Sequence, residues 1–338
     1  MAKPARIVMK REFAAYLQSA LEKKTSSRLL AQELAELWTV NASTAYKKLR
    51  GDTTITIDEA LLLVQRYGIS LDAFATGQSD QVIFRLPSLL QRRNTAQAFI
   101  GGLVRFMEAA HVDNASTFIH YATNEVPVFY YLLYPELTAF KMYLWSQSIW
   151  GSVPAQQSGS DWITALLQDA AFQQMRETAF NTFATIPSHE FYPRNMLDNT
   201  LSQVHFLYET GAIDRAFAQL IIGQITSLVR WLEQAAEQGR KTPLDGGQGA
   251  IFTVHHNEII YSNNIILLEG KQLSTVFCTL DNPNYLISSD DRLVAYTKEW
   301  FDIVRHKSVK ISADGERHRK AYFHHLQRRI QESSRTMQ

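Results

Sequence analysis

Residues 27–67, SRLLAQELAELWTVNASTAYKKLRGDTTITIDEALLLVQRY, constrain the fold more than any other stretch of the chain. Apolar residues recur there at helical spacing, and capping residues break the run at intervals. Leu30, Leu34 and Leu37 stand four and three apart and form one stripe of a helix from about Ser27 to Trp38. Ser26 or Ser27 is expected to cap it, because a hydroxyl there accepts a bond from an orphan backbone N–H. Ala31 and Ala35 leave room for a second helix to come close. The helix is predicted to end near Thr39-Val40.

Asn41 is the expected N-cap of a second helix, Ala42 to Arg50. On a wheel of 3.6 residues per turn, Ala42, Ala45 and Leu49 fall on one side. Ser43, Thr44, Lys47 and Arg50 fall on the other. Gly51 stands where a left-handed residue closes a helix. So short a helix is not stable alone, so its apolar side must rest on the Leu30/Leu34/Leu37 stripe and on a third helix further along. Thr56-Ile57-Asp58-Glu59, a capping box of the Thr-x-x-Glu kind, opens that third helix. It carries Ala60, Leu61, Leu63 and Val64 and stops at Gly68. Phe74 is placed to close the bottom of the core. Ahead of the pair, Phe13, Tyr16, Leu17 and Leu21 predict a helix over residues 7–22.

The segments LAELWTVNASTAYKKLRGD and TIDEALLLVQRYGISLDAF resemble the helix-turn-helix domain of the phage lambda repressor type, the XRE-like superfamily of bacterial regulators. The resemblance covers about residues 10–75 and rests on Leu34, Ala35, Val40, Ser43, Thr44, Ala45 and Gly51. Ala31 stands where such proteins often place a phosphate-contacting Gln, and Leu49 where many have a Glu. The resemblance implies a recognition helix in the major groove, with Asn41, Ser43, Thr44 and Lys47 at base edges. Lys48 and Arg50, further along, are expected on phosphates. Tyr46 lies between the faces and either packs at the core edge or donates its hydroxyl to a phosphate. The bland reading of the same residues is a three-helix packing unit with a solvated basic face.

Charge is informative by its distribution. The 338 residues carry a net +1, yet the first 50 hold ten Lys/Arg and four Glu, a net +6. A local positive field supplies the salt-dependent part of DNA affinity. Cys278 is the one cysteine, which excludes an internal disulfide and a cysteine-based zinc site. No apolar signal region stands at the N-terminus, and no long uncharged apolar run suggests a membrane span. The expected compartment is the cytoplasm of a bacterium.

Thr76-Gly77-Gln78-Ser79-Asp80 and Thr242-Pro243-Leu244-Asp245-Gly246-Gly247-Gln248-Gly249 read as boundaries. They divide the chain into 1–78, 79–241 and 242–338. In the middle part, Val82–Leu86 is extended, a helix runs over about 94–110, and 116–121 alternates as a strand does. Residues 126–150 are dense in aromatics, helical after Pro135, and form a core, a pocket wall or a dimer face. From Asp161 to Gly239 the pattern is helical throughout. After Ala250 the period changes: IFTVHHNEIIYSNNIILLEG reads as two strands joined by a polar turn. Another strand comes next, with Asp281–Asn284 as a turn, and two helices close the chain. The fold class expected is mainly α, with a lambda-repressor-like N-terminal domain, a helical middle and an α+β C-terminal region.

Other constellations carry little. His255, His256, His318, His324 and His325 match no zinc spacing, so no metal and no cofactor is expected. The glycine-rich 242–249 loop lacks the Gly-Lys-Ser/Thr ending of a phosphate cradle. Residues 316–320 with Arg328-Arg329 make a basic helix end, either an anion site or a solvated face. A self-cleaving Ser/Lys pair needs a lysine kept neutral by burial; Lys271 and Lys310 read as turn residues. The expectation is a non-enzymatic, DNA-binding transcriptional regulator. Its partners would be double-stranded DNA, a second copy of the chain and an unknown small-molecule effector, with no membrane. The alternatives are an enzyme, or an interaction module, to which the helix-turn-helix is an accessory.

Overall fold

The computed structural model describes residues 3–22, 30–67, 69, 71, 74, 82–87, 94–112, 117–153, 158–258, 263–271 and 274–336. The Ser26/Ser27 cap, the Gly68 stop and the 76–80 boundary lie outside them. Two compact units are present, Met1–Ile83 and Phe84–Gln338. The chain is mainly α-helical, with strands in the second unit. No helix among the described residues is long and apolar enough to cross a membrane.

The first unit contains α1 (Lys3–Glu22), α2 (Leu30–Leu37), α3 (Ala42–Leu49) and α4 (Ile57–Tyr67). Leu17, Leu21, Leu34, Trp38, Ala45 and Leu63 meet in one apolar core, with Leu30, Leu37 and Val40 against it. Phe74 packs on Phe13 and Tyr16, with ring centroids 4.9 and 5.5 Å away. The capping box forms as expected. Thr56 N donates to Glu59 Oε2 at 2.8 Å, and Glu59 N donates to Thr56 Oγ1 at 3.3 Å. Leu61, placed among the apolar residues of α4, is instead 45% exposed.

The second unit is built on a seven-stranded sheet. In chain order it comprises α5 (Ala96–Val112), β1 (Phe118–Ala122), α6 (Val128–Tyr131), α7 (Pro135–Ser148), α8 (Gly159–Gln168), α9 (Ala170–Ala184), β2 (Ser188–Tyr192), α10 (Asp198–Glu209) and α11 (Arg215–Gln238). Then come β3 (Phe252–His256), β4 (Ile265–Glu269), β5 (Thr275–Asp281), β6 (Asn284–Ser288), α12 (Asp291–His306), β7 (Val309–Lys310) and α13 (Glu316–Thr336). The strand order is β6-β5-β4-β1-β2-β3-β7, with β1, β2 and β3 parallel. Ser158, Asp169, Asp214 and Asp290 each cap a helix by accepting from its backbone N–H groups.

Both faces of the sheet are covered. Ile119, Tyr121, Tyr192, Val254 and Ile266 belong to the large core shared with α5–α11 and α13. Ala122, Phe191, Leu267 and Val276 belong to a smaller core with Phe301 and Val304 of α12. Two expectations change here. The helical pattern read over 161–239 is interrupted by β2, a central strand whose five residues are all buried. Short parallel strands covered on both faces lose the alternation that marks half-exposed ones, and Ser188, His189 and Glu190 disguised this one further. The two strands read after Ala250 form as β3 and β4, with β2 and β1 between them in the sheet. Second, residues on both sides of the 241/242 division share one sheet and one core. The 242–249 segment is a turn inside one unit, and Lys241 N donates to Ala250 O across it at 3.0 Å. Lys310, read as a turn residue, lies in β7 and pairs with Asp314 at 2.6 Å.

Under α12, three histidines stand side by side on neighbouring strands. His120 is level with His189, and His189 Nε2 lies 2.8 Å from His255 Nδ1. Burial, then the adjoining histidines and the Arg305 and Lys310 charges, push His189 down to about 3. Burial and the same two cations push His255 down to about 4. The unfolded chain protonates these imidazoles below its ordinary 6.5, whereas the folded chain resists until near 4. Their contribution to stability is therefore whole above 6.5 and is lost as the pH falls through that window. Urea unfolding should show a loss of about 4 kcal/mol between about pH 7 and about pH 5, about 2 for each imidazole, before most carboxylates titrate. His255→Gln should reduce that slope; a flat profile in the parent chain would contradict the assignment.

Candidate nucleic-acid interface

The turn between α2 and α3 fixes how α3 is presented. Val40 N donates to Ala35 O at 2.9 Å and Thr39 N to Glu36 O at 3.2 Å, a Schellman closure with Thr39 in the left-handed position at φ 53°. A β-branched residue there is unusual and costs about 1–2 kcal/mol. Asn41 Oδ1 then accepts from Thr44 N at 2.8 Å and starts α3. At the other end Gly51 adopts φ 74°, and a Cβ there would stand 3.1 Å from Arg11 Cα. Both backbone closure and contact with α1 thus call for glycine.

The faces of α3 separate largely as the wheel predicts. Ala45 and Leu49 are buried in the core. Asn41, Ser43, Lys47 and Arg50 are exposed, and Thr44 is half-buried. Ala42, placed on the inner side by the wheel, is exposed at the first helical turn. Tyr46 is 55% exposed and lies under the Arg50 guanidinium, 5.7 Å from ring centre to Cζ. Arg50 also approaches Asp52 at 3.6 Å. Among the described residues, Lys47 makes no ion pair or hydrogen bond through its side chain.

Lys48 requires a correction. Expected on a DNA phosphate, it is 7% exposed and turned inward. Its Nζ donates to Glu59 Oε2 at 2.8 Å and to Thr54 O at 2.7 Å. Glu59 Oε2 therefore serves both the cap of α4 and this ion pair. Burial pushes the Glu59 carboxyl up, but the Lys48 and Thr56 hydrogen bonds outweigh it and hold it below the usual range. Eleven residues separate the partners, so no helical or strand period announces the contact.

The second unit holds buried charged groups that the sequence reading missed. Lys141 is fully buried on α7, donates to Gln203 Oε1 at 2.7 Å, and is pushed down by burial to about 8. Lys241 is 1% exposed, donates to Ile186 O at 2.5 Å, and is pushed down by burial to about 7. Glu190 accepts from Tyr130 at 2.8 Å, from Ser188 at 2.7 Å and from Tyr192. A lone lysine in the apolar run LTAFKMYLW was a signal for Lys141; Lys241, in a polar turn, had none. Among the described residues, no group of three His, Cys, Asp or Glu has a geometry that could hold a metal. On the basic helix end, Arg319 is buried and donates to Ala313 O at 2.8 Å. Lys320 pairs with Glu316, and Arg329 with Asp198 and Glu332.

Comparison of the chain with protein-family models, with curated proteins and with solved structures gives no match.

The two adjacent lysines of α3 are thus expected to behave oppositely. Lys48→Ala leaves Glu59 without its counter-ion and should cost the first unit about 2 kcal/mol, less than a fully enclosed pair because Glu59 keeps 15% exposure. Lys47→Ala should change stability by less than about 0.5 kcal/mol. Thermal unfolding of both variants decides the matter, and equal effects would refute the inward placement.

Proposed function

We propose that the chain is a sequence-specific DNA-binding transcriptional regulator that acts as a homodimer. On this reading the first unit is a lambda-repressor-like helix-turn-helix domain. The second unit serves ligand sensing or oligomerisation, and no catalysis is assigned to it. The observation that carries the reading is the division of α3: Ala45 and Leu49 hold it to the core while Ser43, Thr44, Lys47 and Arg50 face outward.

The eight residues of α3 span about 12 Å at 1.5 Å per residue. The major groove is about 12 Å wide and admits such a helix. Lys47, exposed and without a side-chain partner among the described residues, is the side chain for guanine O6 and N7. Ser43 and Thr44 near the N-terminus offer hydroxyls to several bases. The Asn41 carbonyl is occupied by its own helix, which leaves its amide N–H2 for a base or phosphate acceptor. Arg50 exchanges its Asp52 neighbour for a phosphate, and Tyr46 beneath it offers a hydroxyl to the same strand. Lys48 takes no part. One short helix gives few contacts, so two copies on a two-fold-related site are expected. The bacterial cytoplasm is the compartment that suits this activity.

Selection from a random duplex pool tests the reading. The parent chain should enrich a pseudo-palindromic site, and Thr44→Ala with Lys47→Ala should abolish enrichment while the helical circular dichroism is unchanged. Arg50→Ala should weaken binding to all sequences and lower the salt slope by about one phosphate contact. Failure of the parent chain to enrich any site, or enrichment of the same site by the double variant, would end the assignment.

A further inference from the structure

The second unit contains a half-enclosed cavity of about 290 Å3. Ile266, Leu268 and Phe277 of the sheet form its floor, and Leu103 and Phe106 of α5 form a wall. We propose that this cavity binds a small amphipathic carboxylate, with the apolar body inside and the carboxylate on Arg105. The inference gives the sensing role proposed above a place and a ligand chemistry, and it rests on that reading only for what binding does to DNA retention.

Size sets the apolar body. A dry protein cavity of about 150 Å3 takes up benzene, so this space accommodates roughly twelve non-hydrogen atoms. The wall itself gives a second indication. Gly101 and Gly102 stand side by side inside α5, where glycine is a much poorer helix former than alanine. A Cβ on Gly101 would rest in ordinary contact with Met175 Sδ at 3.7 Å, whereas a Cβ on Gly102 would meet nothing within 4 Å. Helix packing therefore does not require glycine at 102. The missing side chain enlarges the cavity, which Gly102 lines.

Arg105 sets the charged end. It belongs to the same lining and is exposed, which places it at the mouth. Its Nη1 lies 3.5 Å from where a Cβ on Gly101 would stand, so the guanidinium folds back beside the glycine pair. Among the described residues it has no ion pair and no hydrogen bond. An unpaired planar guanidinium beside an apolar space matches a carboxylate in both geometry and charge.

Calorimetric titration of the full chain, without DNA, tests the proposal with decanoate below its micelle concentration. Decan-1-ol and acetate are the comparison probes. Decanoate should bind saturably at one site per chain, decan-1-ol about tenfold more weakly, and acetate not at all in the same range. Arg105→Gln should bring decanoate down to the level of the alcohol. Gly102→Leu should abolish binding of both, while Gly102→Ala keeps it and raises the Tm. If Gly102→Leu does not fold, Leu103→Trp fills the same space. Intrinsic fluorescence gives a second readout, since Phe99 on the cavity wall lies 5.5 Å from the Trp145 ring and 5.4 Å from Trp150. Absence of saturable decanoate binding, or undiminished binding by the folded cavity-filling variant, overturns the proposal. Neither result bears on DNA selection by α3, so the two readings fail separately.

Discussion

A strand covered on both faces can keep polar side chains only if each finds a partner, and β2 imposes that condition on the second unit. Ser188, Glu190 and Tyr192 turn toward the helical layer, and His189 and Phe191 toward α12. A carboxylate with no exposure to water would cost several kcal/mol if left unpaired. Three hydroxyls meet Glu190, one of them from Tyr130 on α6, 60 residues away in sequence. The short α6 is thereby keyed to the centre of the sheet. Lys241 performs the matching task at the start of the strand. Its ammonium holds the Ile186 carbonyl and stands 3.9 Å above the centre of the Phe183 ring. The turn after α11 is thus fixed to the turn before β2, and the helical and strand layers acquire a single register.

The same rule operates on a smaller scale in the first unit. Lys48 and Glu59 satisfy one another beneath α3, and Glu59 also closes the cap of α4. A shared carboxylate couples the start of α4 to the last turn of α3. Of the three cations at α3 and its cap, one therefore serves to hold the helix in place. The outward field comes from Lys47 and Arg50, and Arg50 is shared with Asp52. On the proposed reading, an interface with two free cations on α3 would gain more affinity from pairing two copies than from phosphate attraction by one.

What the sequence made legible is what short-range chemistry encodes. Asn41, Gly51 and the Thr56–Glu59 box announced their roles because a cap and its helix are adjacent in the chain. The stripes of α2, α10 and α11 were readable because a covered helix repeats every three or four residues. The pairing of β4 with β1 and of β2 with β3 left no such trace, since register partners there lie some 60 to 150 residues apart. Polar residues in Ser188–Tyr192 concealed a buried strand because their partners are remote. The inward turn of Lys48 was hidden for the same reason: a wheel gives the side of a helix, but not which charged neighbour waits below it.

Burial also explains why the space beside α5 matters. For an enclosed void, the lost contacts amount to roughly 24 cal/mol per Å3, which for 290 Å3 is about 7 kcal/mol. Opening on one side reduces that figure, but the apolar walls still lack the contacts that a filled core supplies. Elsewhere the same core is filled by large side chains: Phe129 stacks on Phe183 at 4.3 Å, and Trp231 closes against Tyr130 and Phe180. Alanine at 102 would strengthen α5 and begin to fill the gap at once. A chain that closes the rest of its core with aromatic rings and leaves glycine at this one wall position forgoes stability where an apolar guest would restore it.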